Sequence, residues 1–104
     1  MIGKTTLQRL KEELGNDYTI RTIDLEQCLY CDFGNGFNVE ISGAGSRGPV
    51  NIYLWKGDRQ PDCYIVKTVN NVERNAEAIR AAVNDLRTLS ELILKNDGGQ
   101  YEYN

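Results

Sequence analysis

Histidine is missing from all 104 residues, which removes imidazole general bases, His-based triads and His-containing metal sites together. Cysteine is scarce and odd in number: three residues in a chain without an apparent export signal favour free thiols over a disulfide framework. Cys28 and Cys31 form a CxxC, yet a zinc site needs further ligands and only Cys63 remains. A redox CxxC belongs at a helix N-terminus after a strand, whereas Cys28-Leu29-Tyr30-Cys31 reads as strand, with its two thiols on opposite faces. No apolar run nears the ~18 residues of a membrane span. Met1 to Lys11 breaks its isolated leucines with Lys4, Arg9 and Lys11, so a cytoplasmic protein without a secretory leader is expected. These absences predict a non-catalytic chain with no metal and no cofactor.

Charge of one sign is also short. Twelve Lys and Arg stand against fifteen Asp and Glu, a net charge of -3, so the molecule as a whole repels nucleic acid and favours basic partners. The length suits one domain with its own core and is too short for two. Residues 1–95 are expected to form that domain and residues 96–104 a flexible tail.

What is present is a long amphipathic pattern from Val72 to Lys95. Val72, Ala76, Ile79, Val83, Leu86 and Ile93 share one stripe at helical spacing, while Glu73, Glu77, Arg80, Asn84, Arg87, Glu91 and Lys95 point away. Asn70 with Glu73 predicts its cap and Asn96-Asp97-Gly98-Gly99 its stop. Leu92 falls outside the stripe and is a candidate self-contact, with the oligomeric state left open. Tyr101 and Tyr103 could add a short edge strand. A shorter helix is predicted from Thr6 to Leu14, with Leu7, Leu10 and Leu14 on one side, a Thr5/Gln8 capping box and Gly15 at its end.

Between the helices the pattern turns to strands. Tyr18 to Ile23 is rich in β-formers, with an alternation that slips near Thr22 and predicts a bulge or an early strand end. Gln27 to Phe33 and Phe37 to Ser42 flank Gly34-Asn35-Gly36, a hairpin signal. A two-residue Asn35-Gly36 loop would put Tyr30 and Asp32 on the face of Val39 and Ile41. A three-residue loop instead pairs Phe33 with Phe37, Cys31 with Val39 and Leu29 with Ile41, and leaves Tyr30 opposite Glu40 and Asp32 opposite Asn38. The three-residue loop is the better choice, with Gly36 left-handed. Val50 to Lys56 alternates as well, and Cys63 to Val69 is a further strand. The fold class is α+β: an antiparallel meander of 4–5 strands with the short N-terminal helix and the long C-terminal helix packed on one face.

Apparent motifs fail on context. Gly43-Ala44-Gly45-Ser46-Arg47-Gly48 matches GxGxxG, but Pro49 and a strand follow where a helix should begin, so a flexible inter-strand loop is the reading, with Arg47 at its tip. Gly3-Lys4-Thr5 lacks the strand and wrapping loop of a phosphate site. Asp32 with Glu40 is the one carboxylate pair that the register suggests for acid and base chemistry, and a solvated sheet face explains it more simply. Tyr30, Tyr53 and Trp55 share that face and fit either structural packing at a strand edge or a binding surface.

The short helix Leu7 to Leu14, the segment Asp17-Tyr18-Thr19-Ile20-Arg21 and the strand closing on Ile41-Ser42 resemble the N-terminal half of the small acidic anti-CRISPR proteins of prophages. The resemblance implies an inhibitor that occupies the nucleic-acid-binding surface of a CRISPR effector nuclease, and carries over no functional residue. The order helix, strands, helix also resembles a double-stranded RNA-binding domain, which implies a nucleic-acid binder. Such domains cluster lysines at the start of the last helix, where this chain has Asn71, Glu73 and Glu77 beside Arg74 and Arg80. A small immunity or adaptor protein fits the same acidic profile. The expected function is binding of a basic protein surface through Tyr30, Asp32, Glu40, Tyr53 and Trp55.

Overall fold

The computed structural model describes the backbone of residues 5–57 and 61–102, and side chains as far as Asn96. Helix α1 (Thr6–Leu14) starts at the expected box: the Thr5 hydroxyl accepts from the Gln8 amide and the Gln8 side chain accepts from the Thr5 amide. Gly15 ends it with a left-handed φ of 111° and returns its N–H to the Lys11 carbonyl. Five strands follow, β1 (Thr19–Ile23), β2 (Glu26–Asp32), β3 (Phe37–Ser42), β4 (Val50–Lys56) and β5 (Tyr64–Val72), before helix α2 (Ala76–Glu102). The sheet is a meander in the order β1-β2-β3-β4-β5, antiparallel throughout.

The three-residue hairpin is the one formed. The Phe33 amide donates to the Phe37 carbonyl, and Leu29, Tyr30, Cys31 and Asp32 pair with Ile41, Glu40, Val39 and Asn38. Gly36 is left-handed at φ 91° and Gly34 at 77°, both outside the comfortable range of a side-chain-bearing residue. Asn35 closes the loop from within, its side-chain oxygen accepting from the Phe37 amide and its amide donating to Ser90 on α2. On one face Leu29, Cys31, Phe37, Val39, Ile41, Val50, Ile52 and Leu54 form the core with Leu7, Leu10 and Leu14 of α1 and Ile79, Val83 and Leu86 of α2.

Several expectations are corrected at element ends. Val72 belongs to β5, where it pairs with Val50, so the helix begins later. Its cap is Asn75, whose side chain accepts from the Ala78 amide, rather than Asn70. The Asn96-Asp97-Gly98-Gly99 stop is not used. A glycine ends a helix by turning left-handed, and Gly98 and Gly99 stay helical as α2 runs on to Glu102. Tyr101 is therefore helical rather than strand, and Tyr103, like Gly3 and Lys4, lies outside the described residues. The slip near Thr22 produces no bulge, since β1 pairs with β2 in regular register through Ile23. The register shifts fall between β4 and β5 instead.

At ~1.5 Å per residue α2 is roughly 40 Å long, against ~23 Å for the longer inner strands. Ser90 of α2 meets the hairpin tip at Asn35, and Leu92, two residues further on, is exposed. No helix among the described residues is long and apolar enough to cross a membrane.

The tightest backbone strain lies at the β1–β2 turn. Ile23 pairs with Glu26 around Asp24 and Leu25, both left-handed, and the Leu25 side chain is 99% exposed. Left-handed backbone costs a side-chain-bearing residue roughly 1–2 kcal/mol, partly offset in glycine by chain entropy. Leu25→Gly should therefore stabilise the fold by ~0.5–1 kcal/mol. Leu86→Ala, which empties a site only 3% exposed, should destabilise it by ~2–5 kcal/mol. Urea unfolding measures both, and a loss below about 1 kcal/mol at Leu86 would mean that the helix stripe is not core.

Candidate binding face

Period-two alternation sends Cys28, Tyr30 and Asp32 of β2, Asn38 and Glu40 of β3, and Tyr53 and Trp55 of β4 to the face away from the helices. Register orders them in two rows. Tyr30, Glu40 and Tyr53 lie side by side in one, and Asp32, Asn38 and Trp55 in the next. All five residues expected at the binding surface thus share one face.

As expected, the helices leave that face uncovered, but it is hollowed rather than a plain solvated surface. A hollow of about 210 Å³ is lined by Arg21 and Ile23 of β1, Tyr30, Asn38, Glu40, Trp55, and Gly57 and Cys63 of the β4–β5 connection, so residues from β1 across to β4 converge on one concavity. Tyr30 is only 7% exposed, with the Arg21 guanidinium 3.7 Å over its ring. Asp32 lies in an adjoining hollow with Gly34 and Gly36, and the two hollows share Asn38 and Gly57. Tyr53, half-buried, lines neither. The sequence pattern places Asn38 on this face but not among the binding residues, whereas Arg21, which carries no motif, and Cys28, read only as half of a CxxC, were missed.

Glu40 is the hub. One carboxylate oxygen accepts from the Trp55 indole N–H at 3.1 Å and the other from the Cys28 thiol at 3.7 Å. Both donors are neutral, and among the described residues Glu40 has no further hydrogen bond or ion pair. Asn38, 6% exposed, donates its amide to the Gly57 carbonyl at 2.9 Å, and its carboxamide oxygen has no partner among the described residues. Asp32 accepts from the Gly34 amide at 2.9 Å and so braces the hairpin. Asp32 and Glu40 each serve a different neighbour, and nothing between them resembles a nucleophile and its base.

The CxxC thiols point to opposite faces. Cys31 is in the helix-side core, where burial raises its pKa against the opposing pull of Arg87. Burial pushes the Cys28 thiol up to about 12, and the negative charges of Glu26 and Glu40 add to the shift. Both stay protonated and unreactive near neutrality. Among the described residues no group of His, Cys, Asp and Glu is placed to hold a metal.

The glycine-rich connection after β3 leads into β4, as its context implied, but it is anchored rather than loose. Glu26 accepts from the Ser42 hydroxyl and the Gly43 amide, Arg74 donates to the carbonyls of Arg47 and Gly48, and Ala44 is fully buried. The amides of Gly43 and Ser46 are taken up within the fold, and strand β4 follows the loop where a phosphate site would need a helix N-terminus. No family model, characterised protein or solved structure matches this chain.

The Cys28 shift has a signed consequence for stability. A thiol whose pKa rises from about 9 to about 12 on folding holds more protons folded than unfolded across that window, so its contribution is intact below pH 9 and lost as the pH climbs toward 12. Tyr18, raised by burial to about 12, acts in the same direction above pH 10. Urea midpoints between pH 8 and 10.5 should therefore fall in the wild type and fall less steeply in Cys28→Ala. Equal slopes would show that Cys28 is not held as described.

Proposed function

We propose that this chain is a non-catalytic protein that binds a basic surface on another protein with the concave face of its sheet. The supporting observation is the half-buried Glu40 carboxylate, which among the described residues meets only neutral donors and stands beside the aromatic side chains of Tyr30 and Trp55. A charge kept partly out of water without a counter-charge is costly to an isolated fold and useful to a binding surface. Asp32 in the next hollow extends the acidic stretch, Tyr53 and Trp55 supply rigid apolar area, and the net charge of -3 steers positive partners.

The sharpest form of this reading, which rests on the resemblance of the N-terminal half, is an inhibitor that covers the nucleic-acid-binding surface of a CRISPR effector nuclease. An immunity or adaptor protein is its plainer form, and both act in the cytoplasm. Affinity capture from host lysate tests it with wild type, Trp55→Ala and the double change Asp32→Lys with Glu40→Lys. The expected result is a protein held by the wild type and weakened roughly tenfold or more by either variant. Equal retention by all three would place the interface elsewhere, and duplex RNA or DNA as the sole species captured would replace the proposal with a nucleic-acid-binding one.

A further inference from the structure

We propose that the hollow between Glu40 and Trp55 receives one guanidinium, the head of an arginine side chain on the partner protein. This rests on the binding-face reading above and specifies its anchor. Among the described residues the hollow offers more acceptor capacity than its donors use, and its own guanidinium, Arg21, sits over Tyr30 without a hydrogen bond to Glu40. Among the described residues Glu40 keeps lone pairs on its carboxylate after serving Trp55 and Cys28, and the carboxamide oxygen of Asn38 accepts no hydrogen bond. Glu40 and Asn38 lie two positions apart on β3 and project to the same face, roughly 7 Å apart along the strand.

The ligand that fits acceptors of this kind has donors, positive charge and no acceptor of its own. Guanidinium carries five N–H donors in one plane, sheds water more readily than an ammonium group, and stacks on aromatic faces. Trp55 supplies such a face in the same hollow, and indole is the strongest of the cation-binding rings. The chain already satisfies the other wall in this way, with its own Arg21 guanidinium over Tyr30. The volume of about 210 Å³ is below the ~300 Å³ at which drug-sized ligand pockets begin, so it suits the end of one long side chain.

Trp55 is the single tryptophan in the chain and reports on the hollow directly. Its emission is titrated with the blocked peptide acetyl-Gly-Arg-Gly-amide and with its lysine and citrulline counterparts. The arginine peptide should give a saturable change, the lysine peptide a weaker one, and citrulline, which keeps the shape without the charge, none. Glu40→Gln, checked for folding by its urea midpoint, should weaken the arginine response roughly tenfold. Because the peptide comparison is made on wild-type protein, it stands even if that variant fails to fold. Citrulline or lysine binding as well as arginine, a folded Glu40→Gln that binds as the wild type does, or no saturable response to arginine would each overturn the proposal. If arginine fails while Trp55→Ala still abolishes partner capture, the anchor is wrong and the face stands. If capture is indifferent to Trp55 and Glu40, the face itself falls.

Discussion

The register of the β2–β3 hairpin is the constraint on which the rest of the molecule depends. Side chains alternate with a period of two, so a slip of one residue on either strand would exchange every inward and outward position. With Phe33 bonded to Phe37 around three loop residues, Leu29, Cys31, Val39 and Ile41 face the helices while Tyr30, Asp32, Asn38 and Glu40 face the hollow. The loop secures this in several ways. Gly34 and Gly36 adopt left-handed backbone, Asp32 and Asn35 accept the amides of Gly34 and Phe37, and Asn35 ties the tip to Ser90 on α2. Strand β4 inherits the alternation through Val39–Leu54 and Ile41–Ile52, and the core follows.

The two faces thus divide the work. The helix side buries aliphatic groups with little polarity, which stabilises the fold. The other side holds a carboxylate, an amide and aromatic rings in a curved recess whose polar capacity is only partly used within the chain. Glu40 connects that polarity to the quiet chemistry of the site. By accepting the Cys28 thiol it helps to keep the sulfur protonated, and by accepting the Trp55 indole it fixes the ring at the wall of the hollow.

Much of the fold was legible because local signals and global pattern agree. The capping box at Thr5 and Gln8, the glycine-flanked hairpin and the alternation of Val50, Ile52 and Leu54 each carry one meaning in sequence and the same one in space. Element ends were less legible. Asn70 with Glu73 reads as a cap on paper, but Val72 pairs with Val50 some twenty residues away, which moves the helix start and its cap on to Asn75. Gly98 and Gly99 look like a stop, yet a glycine stops a helix only when it turns left-handed. The membership of the face was readable from register, whereas its concavity was not. Curvature arises from twist and from the register shifts of β4 against β5, and it is curvature that brings Arg21 and Cys63 over the same hollow and buries Tyr30.

Cross-strand NMR contacts test the central claim most directly. In an antiparallel pair the Hα atoms of non-hydrogen-bonded partners lie closest, with Cα atoms ~4.5 Å apart. Since Phe33 and Phe37 are hydrogen-bonded, the account predicts strong Hα–Hα contacts for Tyr30 with Glu40 and for Asp32 with Asn38. Strong contacts instead for Cys31 with Glu40 and for Phe33 with Asn38 would mean a two-residue loop, with Tyr30 and Asp32 turned onto the face of Val39 and Ile41 and no acidic, aromatic hollow for a partner to enter.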